Sequence, residues 1–89
     1  MQKFSVVFID NSERESKLHV YLFDTYEKAC DFLEKMWQDR FNDMIADFTQ
    51  IDEEESYHED QYAQLKEKEK KKIIYMWHVA DVMKQGEEE

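Results

Sequence analysis

Carboxylates are the residues of this chain best placed to do chemistry, and their spacing narrows which chemistry. On a helix, Glu27, Asp31 and Glu34 recur along one flank, and Asp39, Asp43 and Asp47 recur one turn apart along the other. Asp52-Glu53-Glu54-Glu55 and Glu59-Asp60 continue the series. Between Asp24 and Asp60 stand thirteen acids against three bases, so the chain's formal charge of −10 belongs to this one segment. Like charges one turn apart cost a helix about 0.2–0.5 kcal/mol per pair, and Asp is a poor residue for a helix interior. Solubility does not require that concentration, whereas a local field acting on a partner uses it.

Three chemistries are open to such carboxylates. Acid–base catalysis needs two of them with unequal pKa values, which takes a pocket that desolvates one; one helix on one small sheet leaves little room for it. A calcium loop needs alternating Asp/Asn ligands, a Gly at its sixth position and a Glu at its twelfth; residues 52–60 have neither the Gly nor the alternation. The third is phosphate mimicry. Helical carboxylates one turn apart recur about every 6 Å, a spacing comparable with successive phosphates of a nucleic-acid strand. The competing reading is a solvated helix face followed by an acidic loop.

Other reactive residues point nowhere definite. His19, His58, His78 and Cys30 lack the short paired spacings of a structural zinc site. No cofactor motif is present, so neither a metal nor a cofactor is expected. Cys30 reads as an inert thiol near an apolar stripe, with no neighbouring base to activate it. Lys66, Lys68, Lys70, Lys71 and Lys72 interleave with Glu67 and Glu69 and read as a solvated turn. A nucleic-acid patch would need a wider basic surface with stacking aromatics.

These residues must be carried by a small set of elements. KFSVVFID at 3–10 alternates Phe4, Val6 and Phe8 with Ser5, Val7 and Ile9, a strand. NSERES is a polar turn, and KLHVYLF at 17–23 is a second strand, with Leu18, Val20 and Leu22 opposite His19, Tyr21 and Phe23. The short link makes them an antiparallel hairpin. Asp24 with Glu27 has the spacing of a capping box and opens a helix to about Phe48. Tyr26, Ala29, Leu33, Met36/Trp37, Met44 and Phe48 form its apolar stripe. Residues 49–60 read as an acidic connection. Tyr62–Lys66 reads as a third strand, Glu67–Lys71 as a charged turn, and Lys72–Val82 as a fourth strand. That strand puts Ile73, Tyr75, Trp77 and Val79 opposite Ile74, Met76, His78 and Val82. The expected architecture is α+β: ββαββ, a four-stranded antiparallel sheet with one long helix on one face. The alternative is ββαα, with the last segment helical.

The 89 residues suffice for one domain, placed at 1–85 with a frayed acidic tail at 86–89. At 42% hydrophobic and 15% aromatic, the chain has the material for a core despite 38% charged residues. A single cysteine excludes an intramolecular disulfide and suits a cytoplasmic location. The N-terminus shows no signal-peptide pattern, and apolar runs of about four residues fall far short of a membrane span. The acidic balance disfavours nucleic acid and anionic membranes as direct partners and favours basic proteins. Because one helix covers one sheet face, exposed aromatics such as Tyr21 and Trp77 are expected to anchor a partner or a second copy.

The run Ser56-Tyr57-His58-Glu59-Asp60-Gln61-Tyr62-Ala63-Gln64-Leu65, the later Trp77-His78-Val79-Ala80-Asp81-Val82, and Phe23-Asp24-Thr25-Tyr26-Glu27-Lys28-Ala29 at a strand-to-helix junction resemble small acidic proteins of Gram-positive bacteria, their phages and mobile elements. Such proteins often carry a Gly-containing turn where this chain has Glu67–Lys71. In general character the chain also resembles anti-CRISPR proteins: small, acidic and non-enzymatic. That resemblance implies an inhibitor obstructing the nucleic-acid-binding surface of a basic partner. Glu27, Asp31, Glu34, Asp39, Asp43, Asp47 and Asp52–Glu55 are the expected contacts, with Tyr21 and Trp77. The alternative is a homodimeric structural module.

Overall fold

In the computed structural model, which describes residues 3–69 and 72–81, the alternating runs become strands. They are β1 (Phe4–Asp10), β2 (Lys17–Phe23), α1 (Tyr26–Ala46), β3 (Tyr57–His58), β4 (Tyr62–Glu67) and β5 (Lys72–Asp81). One open antiparallel sheet results, in the order β2-β1-β5-β4-β3. β5 is its middle strand and β1 lies beside it. Phe8 sits opposite Trp77 and Val6 opposite Val79.

Register decides what each face carries. Phe4, Val6 and Phe8 share a side with His19, Tyr21 and Phe23 and with Tyr75, Trp77 and Val79. Helix α1 lies across that side and buries Ala29, Leu33, Trp37 and Met44 against it. Aromatic stacking fixes the choice of face: Phe32 meets Tyr21 at 4.8 Å and Phe23 at 5.0 Å, and Phe8 stacks on Trp77 at 5.0 Å. The Trp37 indole donates a 3.0 Å bond to the Gln64 carbonyl, tying the helix to β4. Arg40 lays its guanidinium 5.6 Å from the Phe8 ring centroid and 5.3 Å from that of Tyr75.

The α+β class and the antiparallel pairing agree with the sequence reading; several details do not. Among the described residues there are five strands, not four, because Tyr57 and His58 pair with Gln64 and Ala63 within the acidic connection. Upstream, Ile51 bridges to Glu67, so residues 50–58 flank β4 along its length. The ββαα alternative fails because residues 62–67 and 72–81 are both extended. Helix α1 is capped by Thr25, whose hydroxyl accepts from the Lys28 amide at 3.2 Å. Asp24 instead pairs with the Lys28 ammonium at 3.2 Å. A register shift beside Leu65 and Lys66 puts one extra residue into β5, which carries Ile74 into the core rather than to the side of Met76 and His78. Phe48 lies beyond the helix and outside the core. The expected end of the fourth strand at Val82, the tail 86–89, and Lys70 and Lys71 lie outside the described residues.

Candidate functional site

The helix holds its acids on two flanks, as the periodicity requires; the fold packs a different neighbour beside each, and Asp31, Glu34 and Asp39 also share a shallow hollow across the exposed face. Asp31 and Glu34 face the β3–β4 connection, where with Cys30 they border a cleft of about 270 Å³ shared with His58, Glu59 and Asp60. Asp43 and Asp47 border a smaller hollow of about 190 Å³ beside Ser12, Thr49, Glu67 and Lys72. Glu27 and Asp39 are exposed, one on each flank. The two flanks expected from the spacing thus stand as two acidic ridges along one helix, and the structure adds which elements border each.

Little of this charge is neutralised. Among the described residues, only Asp24 and Asp52 of the acids between Asp24 and Asp60 form ion pairs, with Lys28 and Lys66. The bond from Lys28 holds the Asp24 carboxyl below its usual pKa. Asp52 builds a turn: its carboxylate accepts the Glu54 and Glu55 amides at 3.2 Å each and lies 3.9 Å from the Lys66 ammonium. Glu53 and Glu54 stay exposed beside Gln50, Ile51 and Lys68, and Glu55 is exposed as well. No base stands in the last turn of α1, so Asp43 lies at the negative end of the helix dipole. A like-signed charge there costs about 0.3–1 kcal/mol. At the other end, a Gln61 hydrogen bond works to lower the Tyr26 hydroxyl pKa, but the Cys30 hydrogen bond, desolvation and the charges of Cys30 and Asp60 together raise it by more.

The expected aromatic anchors are not on the surface. Trp77 is fully buried against Phe8, and Tyr21 is half-buried beneath Phe32. The most exposed aromatic among the described residues is Phe48, which periodicity had placed in the core stripe. It is 93% exposed and adopts φ 60°, the left-handed region. The helix end explains why. The Thr49 amide donates to the Met44 carbonyl at 2.9 Å and the Phe48 amide to the Ile45 carbonyl at 3.0 Å. This is the Schellman pattern, whose left-handed position ordinarily holds Gly. Here a large aromatic ring occupies it, beside Ile45, which is 54% exposed. The sequence signal was a missing one: no Gly or Asn follows Ala46 to stop the helix.

Among the described residues no three His, Cys, Asp or Glu side chains gather as metal ligands, and no helix is long and apolar enough to cross a membrane. Comparison with protein-family models, curated proteins and solved structures finds no match.

Proposed function

We propose that this chain is a non-enzymatic protein-binding inhibitor, anti-CRISPR-like in character, that obstructs the nucleic-acid-binding surface of a basic partner. One observation carries the reading. Phe48 bears both the strain of a left-handed backbone and full exposure of an aromatic ring, inside the segment that holds the whole net charge. Folding alone favours Gly there, by up to about 1 kcal/mol after Gly's own entropic cost. Strain kept at an exposed residue points to use. An aromatic anchor rimmed by charge is the usual anatomy of a binding hot spot. Asp43 and Asp47 at the end of α1 begin that rim, Glu53, Glu54 and Glu55 continue it in the turn that follows, and Asp39, Glu34, Asp31 and Glu27 extend the acidic surface back along the helix. Asp52 shapes the turn that presents its neighbours.

Phe48→Gly separates folding from binding. The chain is immobilised and offered bacterial lysate, with CRISPR effectors among the candidates, at low and high salt. The wild type is expected to retain a basic partner at low salt, with release by high salt or by competing nucleic acid. Phe48→Gly is expected to melt no lower than wild type and to lose that partner. The double variant Asp39→Lys/Asp43→Lys is expected to lose it too. Undiminished capture by both folded variants refutes the proposal.

A further inference from the structure

The sheet side opposite α1 has no covering element among the described residues. Register brings Leu18, Val20 and Leu22 of β2 to it, and these stand 63, 52 and 49% exposed. They form an aliphatic ridge along the sheet edge. Directly beside it lies a groove of about 350 Å³ that spans β1, β5 and β4, lined by Val7 and Ile9, by Met76, Trp77, His78 and Ala80, and by Tyr62. Neither ridge nor groove holds an Asp, Glu, Lys or Arg, in a chain that is 38% charged.

We propose that this face is covered by a second copy of the chain, packed sheet against sheet. The ridge lies on β2 at one edge, and the groove spans β1, β5 and β4, centred on the middle strand β5. A two-fold axis parallel to the strands and passing over β1 turns β2 of one copy over β5 of its partner. Each ridge then meets the other copy's groove, which is the self-complementarity an isologous interface needs. Three overlapping strands, β2, β1 and β5, about 4.8 Å apart and seven residues long give a flat footprint of roughly 350 Å². Side-chain relief raises that to roughly 450 Å² per copy, the size of a weak, transient interface. A dimer with a dissociation constant of roughly tens to hundreds of micromolar is the expected strength.

Charge selects this occupant. A basic partner gains nothing from an uncharged face, and a chain of net −10 is repelled by anionic lipid. A second copy would ordinarily be repelled as well, but the acids of α1 lie on the far side of each sheet. Layers of roughly 10 Å place the two helices about 30 Å apart, several times the Debye length of about 8 Å at physiological salt. The proposal stands apart from the acidic surface and does not depend on its having a partner.

Sedimentation equilibrium of the intact chain, from low to hundreds of micromolar and at two salt concentrations, tests it. The expected result is a monomer–dimer equilibrium that high salt preserves or strengthens. Val20→Lys buries an unpaired charge in the contact and should raise the dissociation constant about a hundredfold or more. Should that variant melt below the assay temperature, Leu18→Lys reads the same ridge from its most exposed position. A monomer throughout the range overturns the proposal, and its co-flotation with phosphatidylcholine vesicles would assign the face to lipid. A dimer dissolved by salt, or one untouched by the ridge variant, also overturns it.

Discussion

Arg40 is expected to be worth more to this fold than any other base on the helix, and the reason can be tested apart from its charge. Its guanidinium covers the Phe8 and Tyr75 rings at 5.6 and 5.3 Å, and Phe8 is itself stacked on Trp77. A cation over an aromatic ring contributes about 0.5–1 kcal/mol at exposed sites and about 2 when desolvated. Arg40 is half-buried, so the two rings together give about 1–2 kcal/mol. Arg40→Met keeps a long unbranched stem and a similar helix propensity while removing the cation. For a chain of this size each kcal/mol moves Tm by about 4–8 °C, so a fall of roughly 5–15 °C is expected. Loss of a base between Asp39 and Asp43 adds only tenths of a kcal/mol, and that part disappears in 1 M salt, where the Debye length is about 3 Å. The assay is therefore urea denaturation at low and high salt, in a double-mutant cycle with Tyr75→Leu. A coupling of about 0.5–2 kcal/mol that survives salt is the expected result. A loss that vanishes in salt, or strict additivity with Tyr75→Leu, refutes the ring-stacking account.

Two further outcomes follow from buried and half-buried polar groups. Partial burial works to raise the Asp10 pKa, but the Ser12 hydroxyl and amide, then Arg40 and Lys17, outweigh it and hold the carboxyl below 3.8. Its contribution is therefore full at neutral pH and is lost as pH falls through the lowered folded value. The melting-temperature gap between wild type and Asp10→Asn should accordingly close below pH 3.8; a gap constant into acid would show that charge is not its source. The two tryptophans should also differ. Trp37→Phe strands the Gln64 carbonyl, whereas Trp77→Phe removes a buried indole N–H that has no partner among the described residues. Deleting such a donor offsets about 1–3 kcal/mol of lost packing. Trp37→Phe should thus give the lower urea midpoint although Trp77 is the more buried residue; the reverse order would mean that the bond matters less than the rings.

What could be read from the sequence was whatever depends on neighbours along the chain. Period-two alternation placed β2 at its observed ends and β1 to within one residue of its start, and the three- and four-residue spacing of Ala29, Leu33, Trp37 and Met44 found the buried stripe of α1. What was hidden depends on pairings far apart in sequence. Both sides of β2 are apolar, so alternation alone does not say which one the helix covers; the fit of Phe32 between Tyr21 and Phe23 decides it. Trp77 looked available for a partner only while its facing strand was unknown, and Phe8 closes over it. Ile74 changes sides through a bulge that β4 imposes. Tyr57 and His58 are too short a run to read as a strand, and they exist as one because β4 offers an edge. The acids were legible as two helix flanks from their spacing, but not the elements that border each flank, because that is a matter of topology.

The division of charge across the fold makes the two proposed surfaces separable. The acids of α1 and the Phe48 ring stand on the helix layer and at its end, while the aliphatic ridge of β2 stands on the uncharged side of the sheet. Electrostatic attraction weakens with salt and apolar burial strengthens with it, so the two contacts should respond to ionic strength in opposite directions. They should also respond to different substitutions. Val20→Lys should abolish self-association and leave capture of a basic partner unchanged; Phe48→Gly should do the reverse. Substitutions at sites with no shared contacts act independently to within about 0.5 kcal/mol, so each variant should leave the other readout within about twofold of wild type. Should Val20→Lys also weaken capture, the partner would need two copies of the acidic ridges at once. The effect should then reappear as a steep dependence of capture on the density of immobilised chain. A loss of capture independent of that density would show that the partner itself touches the sheet face, and the division of labour argued from charge would be wrong.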